Sequence, residues 1–340
     1  ASAGIKELKF LSESDFDFTS KFPLYSHQQI DAMTDGNVIL TSPTGSGKTE
    51  SAFLWLKNQF ELYGQGHVFY ILPYTASINA MYKRLEKDTG KKQKIGMIHG
   101  KLSQFLEYGM SDDDFENLRD KAKVIEDFKT LVTPVKVVTP FQLLKHLYGL
   151  KDFEKGIFEW SGGYFIIDEI HAYDVELFAQ IITLLKYAVK YTKTKIHIMT
   201  ATLPSYMKVE LQKAVEPYTD IKADKALYDS FKRHKIKLLD GKIDDNIDLI
   251  QSEINKGKRV LVVCNTVEKS QDVYATLNAN EKVLLHGRFN GRDRFVKEEK
   301  LSSESVNLLV GTQAIEISLD IDFDIIFSEP APLVALIQRF

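Results

Sequence analysis

Short apolar runs alternate with amphipathic stretches along most of the chain. Asn37-Val38-Ile39-Leu40, residues 67–73, Ile95-Gly96-Met97-Ile98, Val135-Lys136-Val137-Val138, Tyr164-Phe165-Ile166-Ile167 and Lys195-Ile196-His197-Ile198-Met199 each read as a buried strand. Between them the apolar spacing turns helical. Ile78, Met81, Tyr82 and Leu85 share one face, and a helix through Gln142, Leu143 and Leu144 follows Thr139-Pro140. A shorter helix begins after Pro23 and closes near Asp35-Gly36. This alternation, from 35 to 215, predicts a mostly parallel α/β sheet covered on both faces. Chemistry in such a sheet collects at the carboxyl ends of the strands.

The rhythm breaks over 216–240 and then resumes. Residues 246–256 and 267–277 are amphipathic helices, while 259–264, 282–285, 306–310 and 323–327 read as strands. The division expected is therefore an N-terminal extension (1–20), a first domain (21–215), a linker (216–240) and a second domain (241–340). Ser12-Glu13-Ser14-Asp15 offers a helix cap inside the extension. Residues 101–130 are charged and helix-like, with Ser111 placed to cap Asp112, Asp113 and Asp114, and read as a surface excursion.

The first strand runs directly into Thr41-Ser42-Pro43-Thr44-Gly45-Ser46-Gly47-Lys48-Thr49, and a helix starts at Thr49-Glu50-Ser51. Strand, glycine-bearing loop and helix form the context of a phosphate-binding loop. The glycines let backbone N–H groups turn inward, and the helix N-terminus adds positive charge. Lys48 is placed to reach the β- and γ-phosphates of ATP, and the Thr49 hydroxyl to ligate Mg²⁺. Ser42 stands where the pattern has its first glycine. An incidental Gly-Lys-Thr in a glycine-rich turn is the competing reading, disfavoured by the flanking strand and helix.

Asp168-Glu169-Ile170-His171 ends another apolar strand. Two carboxylates there are costly unless a cation or donors meet them. With a metal held by Thr49, Asp168 becomes the second metal-side oxygen and Glu169 the base for the attacking water. A helix N-terminus dressed with acids is the alternative. Thr200-Ala201-Thr202 places hydroxyls at a further strand end, suited to bonding His171. Gln28, just ahead of the phosphate loop, carries an amide able to meet both a donor and an acceptor on adenine.

Composition narrows this only a little. The chain of 340 residues has 44 Lys+Arg against 47 Asp+Glu, net charge −3, so nucleic-acid contacts have to be local rather than driven by a basic field. One cysteine, Cys264, excludes an intrachain disulfide and fits a cytoplasmic setting; it reads as a core residue. No run is long enough for a membrane span, so no membrane partner is expected.

Taken together and in order, the phosphate loop, Asp168-Glu169-Ile170-His171, Thr200-Ala201-Thr202 and Gly311-Thr312-Gln313 resemble a superfamily 2 helicase with two tandem RecA-like domains. More narrowly, the chain is similar to the helicase part of the CRISPR-associated type I helicase–nucleases. That rests on Leu72-Pro73-Tyr74-Thr75 with Met81-Tyr82-Lys83-Arg84-Leu85, on Ala172-Tyr173-Asp174 after His171, on Ala314-Ile315-Glu316-Ile317-Ser318-Leu319-Asp320, and on Ala331-Pro332-Leu333 with Gln338-Arg339. The resemblance implies a catalytic set of Lys48, Asp168, Glu169 and His171. It implies ATP contacts from Gln28, from Thr44, Gly45, Ser46, Gly47, Lys48, Thr49 and Glu50, and from Asp320 and Gln338 of the second domain. Pro73, Thr75, Thr139, Thr312 and Gln313 would lie near the strand backbone, where small hydroxyls and N–H groups meet phosphates without reading sequence.

Two departures from the family shape the expectation. No His-Asp pair with a partner cluster precedes Gln28, so a separate histidine–aspartate nuclease subunit is the expected partner. The chain stops at Gln338-Arg339-Phe340, ahead of the family's following Gly-Arg and last arginine, so the second domain is expected to be incomplete and the fragment weakly active. The function expected is an ATP-dependent motor on single-stranded DNA, recruited by a guide-RNA surveillance complex. An RNA or DNA-repair helicase and an ATP-gated nucleic-acid clamp are the alternatives.

Overall fold

The computed structural model describes residues 9–89, 94–100, 132–231, 235–301, 305–313 and 323–331, with positions 102, 125, 126, 128, 315 and 336. The excursion expected near Ser111 lies outside these residues. The chain forms two compact units; of the described residues, those up to Phe231 belong mainly to the first and those from Lys235 onward to the second.

In the first unit the strands are β1 (Asn37–Thr41), β2 (Val68–Ile71), β3 (Ile95–Ile98), β4 (Val135–Val138), β5 (Tyr164–Asp168), β6 (Lys195–Thr200) and β7 (Tyr218–Lys222). They pair in the order β3-β4-β2-β5-β6-β1-β7. Every pairing is parallel. β2, β4 and β5 are buried at each residue, which is why their sequences run apolar without alternation. The described helices are α1 (Ser26–Asp31), α2 (Lys48–Tyr63), α3 (Thr75–Thr89), α4 (Pro140–Leu147), α5 (Phe153–Trp160), α6 (Val175–Tyr187), α7 (Ser205–Ala214) and α8 (Lys225–Ser230). One sheet face packs Ile39, Ile167 and Ile198 against Leu184, Leu185 and Leu211 of α6 and α7. On α2, Trp55 and Phe60 meet Tyr164 edge-on at 6.1 and 5.1 Å.

Two stretches differ from the sequence reading. Leu11, Phe16 and Phe18 are buried, and Phe16 and Phe18 pack on Phe53 at 6.3 and 5.2 Å, so part of the expected extension seals α2. Ser12 caps the turn there through Asp15, with its N–H 2.6 Å from Oδ2. Residues 218–222, expected in the linker, form the edge strand β7. Only Ile221 of these five is buried, so an edge strand of this kind carries no apolar pattern to read. Asn37 holds it in place: Nδ2 donates to the Val215 carbonyl at 2.7 Å and to the Pro217 carbonyl at 3.1 Å, while Oδ1 accepts from Ile196 N–H.

In the second unit β8 (Val260–Val263), β9 (Lys282–Leu285), β10 (Leu308–Gly311) and β11 (Ile325–Ser328) pair in the order β11-β8-β10-β9, again all parallel. Helices α9 (Ile247–Asn255), α10 (Val267–Thr276) and α11 (Gly291–Leu301) accompany them. Cys264 is fully buried in the core with Ile250, Val262, Val273 and Val310. The α/β class with two mostly parallel sheets matches the sequence reading. Among the described residues no helix is long and apolar enough to cross a membrane.

Candidate nucleotide-binding site

β1 delivers the chain into a tight loop whose geometry needs glycine. Gly45 and Gly47 have φ of 81° and 78°. At Gly47 the positive φ demands glycine, and a Cβ would also come within 2.4 Å of Gln28 Nε2 and displace that amide. Ser42 belongs to the loop's internal bracing: the Ser46 hydroxyl donates to the Pro43 carbonyl at 2.7 Å and lies 3.0 Å from Ser42 Oγ. Ser42 N–H also donates to the Thr200 carbonyl at 3.2 Å, joining the loop to the end of β6. Thr44 and Gly45 stand exposed, whereas Ser46, Lys48 and Thr49 are buried.

The acids reach this loop from β5. Lys48 Nζ is 3.4 Å from the Pro43 carbonyl and 3.9 Å from Glu169 Oε1. Glu169 has φ 52° and ψ 43°, a left-handed conformation unusual for a side chain of its size, and it turns the chain sharply after the strand. Its other oxygen, Oε2, is 3.2 Å from His171 Nδ1, and that nitrogen is 2.5 Å from Thr200 Oγ1. Burial, then the Glu169 charge, push the Asp168 carboxyl up to about 6 despite the Lys48 ammonium. Burial also raises Glu169, opposed by Lys48. Burial, with Lys48 beside it, lowers His171, which keeps the ring neutral at physiological pH.

Asp168 Oδ2 accepts from the Tyr70 hydroxyl at 3.0 Å, and that hydroxyl is 3.5 Å from Thr49 Oγ1. Asp168 Oδ1 is buried with no hydrogen-bond partner. An orphaned carboxylate oxygen beside a threonine hydroxyl is a donor set that fits a hard divalent cation such as Mg²⁺. Sequence reasoning missed two residues here. Tyr70 read only as an apolar strand position. Arg84 of α3 donates to Thr49 Oγ1 at 3.3 Å and pairs with Glu50 Oε1 at 2.5 Å. A polar-tipped aromatic within a strand buried throughout was the one available signal for Tyr70.

Gln28 is nearly buried, and both ends of its amide serve the backbone: Oε1 accepts from Tyr25 N–H at 2.9 Å, and Nε2 donates to the Gly47 carbonyl at 3.0 Å. The strand-binding candidates also sit at strand ends. Pro73 and Thr75 are half-buried, and Thr139, the N-cap of α4, is buried. In the second unit Thr312 is buried and Gln313 exposed at the end of β10, where Thr312 N–H donates to the Leu285 carbonyl at 3.3 Å. Asp320 and Gln338 lie outside the described residues.

Residues 26–209 match the DEAD/DEAH box helicase family model, and residues 256–340 the model for the C-terminal part of the CRISPR-associated nuclease/helicase Cas3. The CRISPR-associated nuclease/helicase Cas3 of Methanothermobacter thermautotrophicus is 29% identical over 89% of this chain and 38% of its own length. That of Streptococcus thermophilus is 28% identical over 98% of this chain and 42% of its own. The chain thus spans less than half of these relatives. The crystal structure of T. fusca Cas3-AMPPNP shares the fold, with a TM-score of 0.71 at 20% identity, covering 98% of this chain and 45% of that one. A family model that takes in more than half of the residues, over the unit that carries the phosphate loop and the paired acids, places the chain in the DEAD/DEAH box helicase family, and its similarity there runs to the Cas3 proteins.

Proposed function

We propose that this chain is the ATP-driven motor of a Cas3-type helicase, moving along single-stranded DNA in CRISPR interference. The observation that carries the reading is the convergence of Lys48, Glu169 and the orphaned Asp168 oxygen at the mouth of the phosphate loop. The Lys48 ammonium, held by the Pro43 carbonyl and the Glu169 carboxylate, exchanges these partners for phosphate oxygens of ATP. Thr49 and Asp168 would hold Mg²⁺, which when bound would neutralise developing charge on the phosphates. Glu169 orients the attacking water and takes its proton, with His171 neutral beside it. The hydroxyls and N–H groups of Pro73-Tyr74-Thr75, Thr139 and Thr312-Gln313 serve the strand backbone, which suits a motor indifferent to sequence.

The domain division is likewise proposed as two RecA-like motor domains, with β7 and α8 closing the first. Asp320 and Gln338 are proposed nucleotide contacts of the second. Recruitment by a guide-RNA surveillance complex and cooperation with a separate histidine–aspartate nuclease subunit are proposed with it, in keeping with the similarity to proteins named CRISPR-associated nuclease/helicase. Among the described residues no group of three or more His, Cys, Asp or Glu is arranged to hold a metal ion.

Measuring ATP hydrolysis against single-stranded DNA and RNA of matched sequence, together with displacement of an annealed strand, tests the reading. Stimulation by DNA with displacement is expected. Stimulation by RNA alone would move the chain to an RNA helicase, and nucleotide-dependent binding without displacement would make it a clamp.

A further inference from the structure

The donors and acceptors around Tyr70 can be counted. Its side chain is fully buried and lies 6.4 Å from the Phe53 ring in a stacked arrangement, so the hydroxyl has one position available. A phenol has a single proton to give. The Asp168 carboxylate only accepts, so that proton goes to Oδ2, 3.0 Å away. Tyr70 Oη is then left as an acceptor, and the group facing it is the Thr49 hydroxyl at 3.5 Å. Arg84 Nη1 also only donates, and it takes one lone pair of Thr49 Oγ1 at 3.3 Å. With Arg84 on one lone pair and Tyr70 Oη open only as an acceptor, the Thr49 hydroxyl can direct its proton toward Tyr70, across a long 3.5 Å contact, and keep a second lone pair. On the other side Asp168 keeps Oδ1 unpartnered. One phenol thus sets the facing of two oxygens on separate elements, the first turn of α2 and the end of β5.

We propose that Tyr70 is the positioning residue of the metal site: its hydroxyl aligns the Thr49 hydroxyl and the Asp168 carboxylate so that each presents a free lone pair to one divalent cation. The inference rests on the reading of Thr49 and Asp168 as the metal-side oxygens. Tyr70 touches neither metal nor nucleotide; it acts through the two ligands. Groups in this position orient ligands and commonly change metal affinity about 10–100-fold when removed.

The test is a Mn²⁺ titration followed by electron paramagnetic resonance, with AMPPNP saturating the protein, on the wild type, Tyr70→Phe, Asp168→Asn and the double variant. Phenylalanine keeps the ring and its packing on Phe53, and a melting curve for each variant confirms folding. Tyr70→Phe is expected to weaken Mn²⁺ binding on the order of 10-fold, while metal-free AMPPNP binding stays at the wild-type level. In the Asp168→Asn background the same change is expected to cost less than in the wild type, because only the contact with Thr49 is left for the hydroxyl to act through. An unchanged Mn²⁺ affinity in Tyr70→Phe, with Asp168→Asn impaired, would overturn the proposal and leave the metal-site reading standing. If Asp168→Asn itself binds Mn²⁺ as the wild type does, the metal-site reading fails first. Equal weakening in both backgrounds would show that Tyr70 does not work through Asp168, and would equally overturn it.

Discussion

His171 Nδ1 lies 2.5 Å from Thr200 Oγ1, and that hydroxyl is 2.7 Å from the Thr202 carbonyl. The carbonyl can only accept, so the Thr200 proton goes to it and the hydroxyl accepts from His171. His171 is thereby fixed with its proton on Nδ1, the atom that also faces Glu169 Oε2 at 3.2 Å. A chain of contacts runs from the proposed base through the histidine to the end of β6, and Ser42 of the phosphate loop bonds the same residue's carbonyl.

Replacing the Thr200 hydroxyl by a methyl group breaks this chain with little change of shape. Thr200→Val should leave ATP affinity near the wild-type value and lower turnover on the order of 10-fold, since one hydrogen bond is worth about 1 kcal/mol and up to twice that beside a charge. Single-turnover hydrolysis with a matched binding titration separates the two effects. Loss of ATP binding in step with turnover would show that Thr200 serves only the loop.

Lys48 and Glu169 should separate binding from chemistry. Lys48→Ala removes a charge-assisted partner of the phosphates and should weaken ATP binding about 10–100-fold. Glu169→Gln keeps the shape and removes the base, so ATP stays bound while hydrolysis falls roughly 10²–10⁴-fold. Filter binding and phosphate release on the two variants check this. Equal loss of binding in both would contradict the assignment of Glu169 as base.

The phosphate loop and the Asp168-Glu169 pair were legible in the sequence because each sits where an apolar run stops and polar residues begin. The parallel sheet was legible for the same reason, its strands being buried on both faces. β7 was not, because an edge strand with Ile221 alone buried has no period to detect. Tyr70 and Arg84 were not, because their meaning depends on partners 98 and 35 positions away in sequence, which no local pattern encodes. Gln28 was legible as belonging to the site but not in its present contacts, since the amide spans Tyr25 and Gly47 through the fold of the loop.

Beneath α2, Asp31 is fully buried and accepts from the Ser51 hydroxyl at 2.6 Å and from His197 Nε2 at 2.8 Å. It ties α1, the helix behind the phosphate loop and β6 at one carboxylate. Asp31→Ala strands two buried polar groups and leaves a cavity, which should cost about 3–5 kcal/mol. Urea unfolding reads this directly. A cost under about 1 kcal/mol would mean that water or local rearrangement satisfies both partners.

Asp168 ties function to instability. Its carboxyl titrates at about 6 against an ordinary 3.8, first because burial penalises the charge and then because Glu169 repels it. The folded state therefore holds this proton more tightly than the unfolded chain does. Between those two values the folded protein binds more protons, so its stability falls as pH rises from about 4 to about 6, and the loss is complete above that window. A shift of this size corresponds to roughly 3 kcal/mol at neutral pH. Asp168→Asn removes the charge, although its amide nitrogen would then need a partner where Oδ1 now has none. The net gain expected at pH 7.5 without metal or nucleotide is thus about 1–2 kcal/mol. At pH 4.5 the wild-type carboxyl is itself protonated, and the two proteins should differ less. Magnesium with AMPPNP should reverse the order, stabilising the wild type and barely moving the variant. Melting curves at both pH values, with and without magnesium and AMPPNP, give all four comparisons. A gap between variant and wild type that stays constant across pH would show that Asp168 is not the group held protonated by its surroundings.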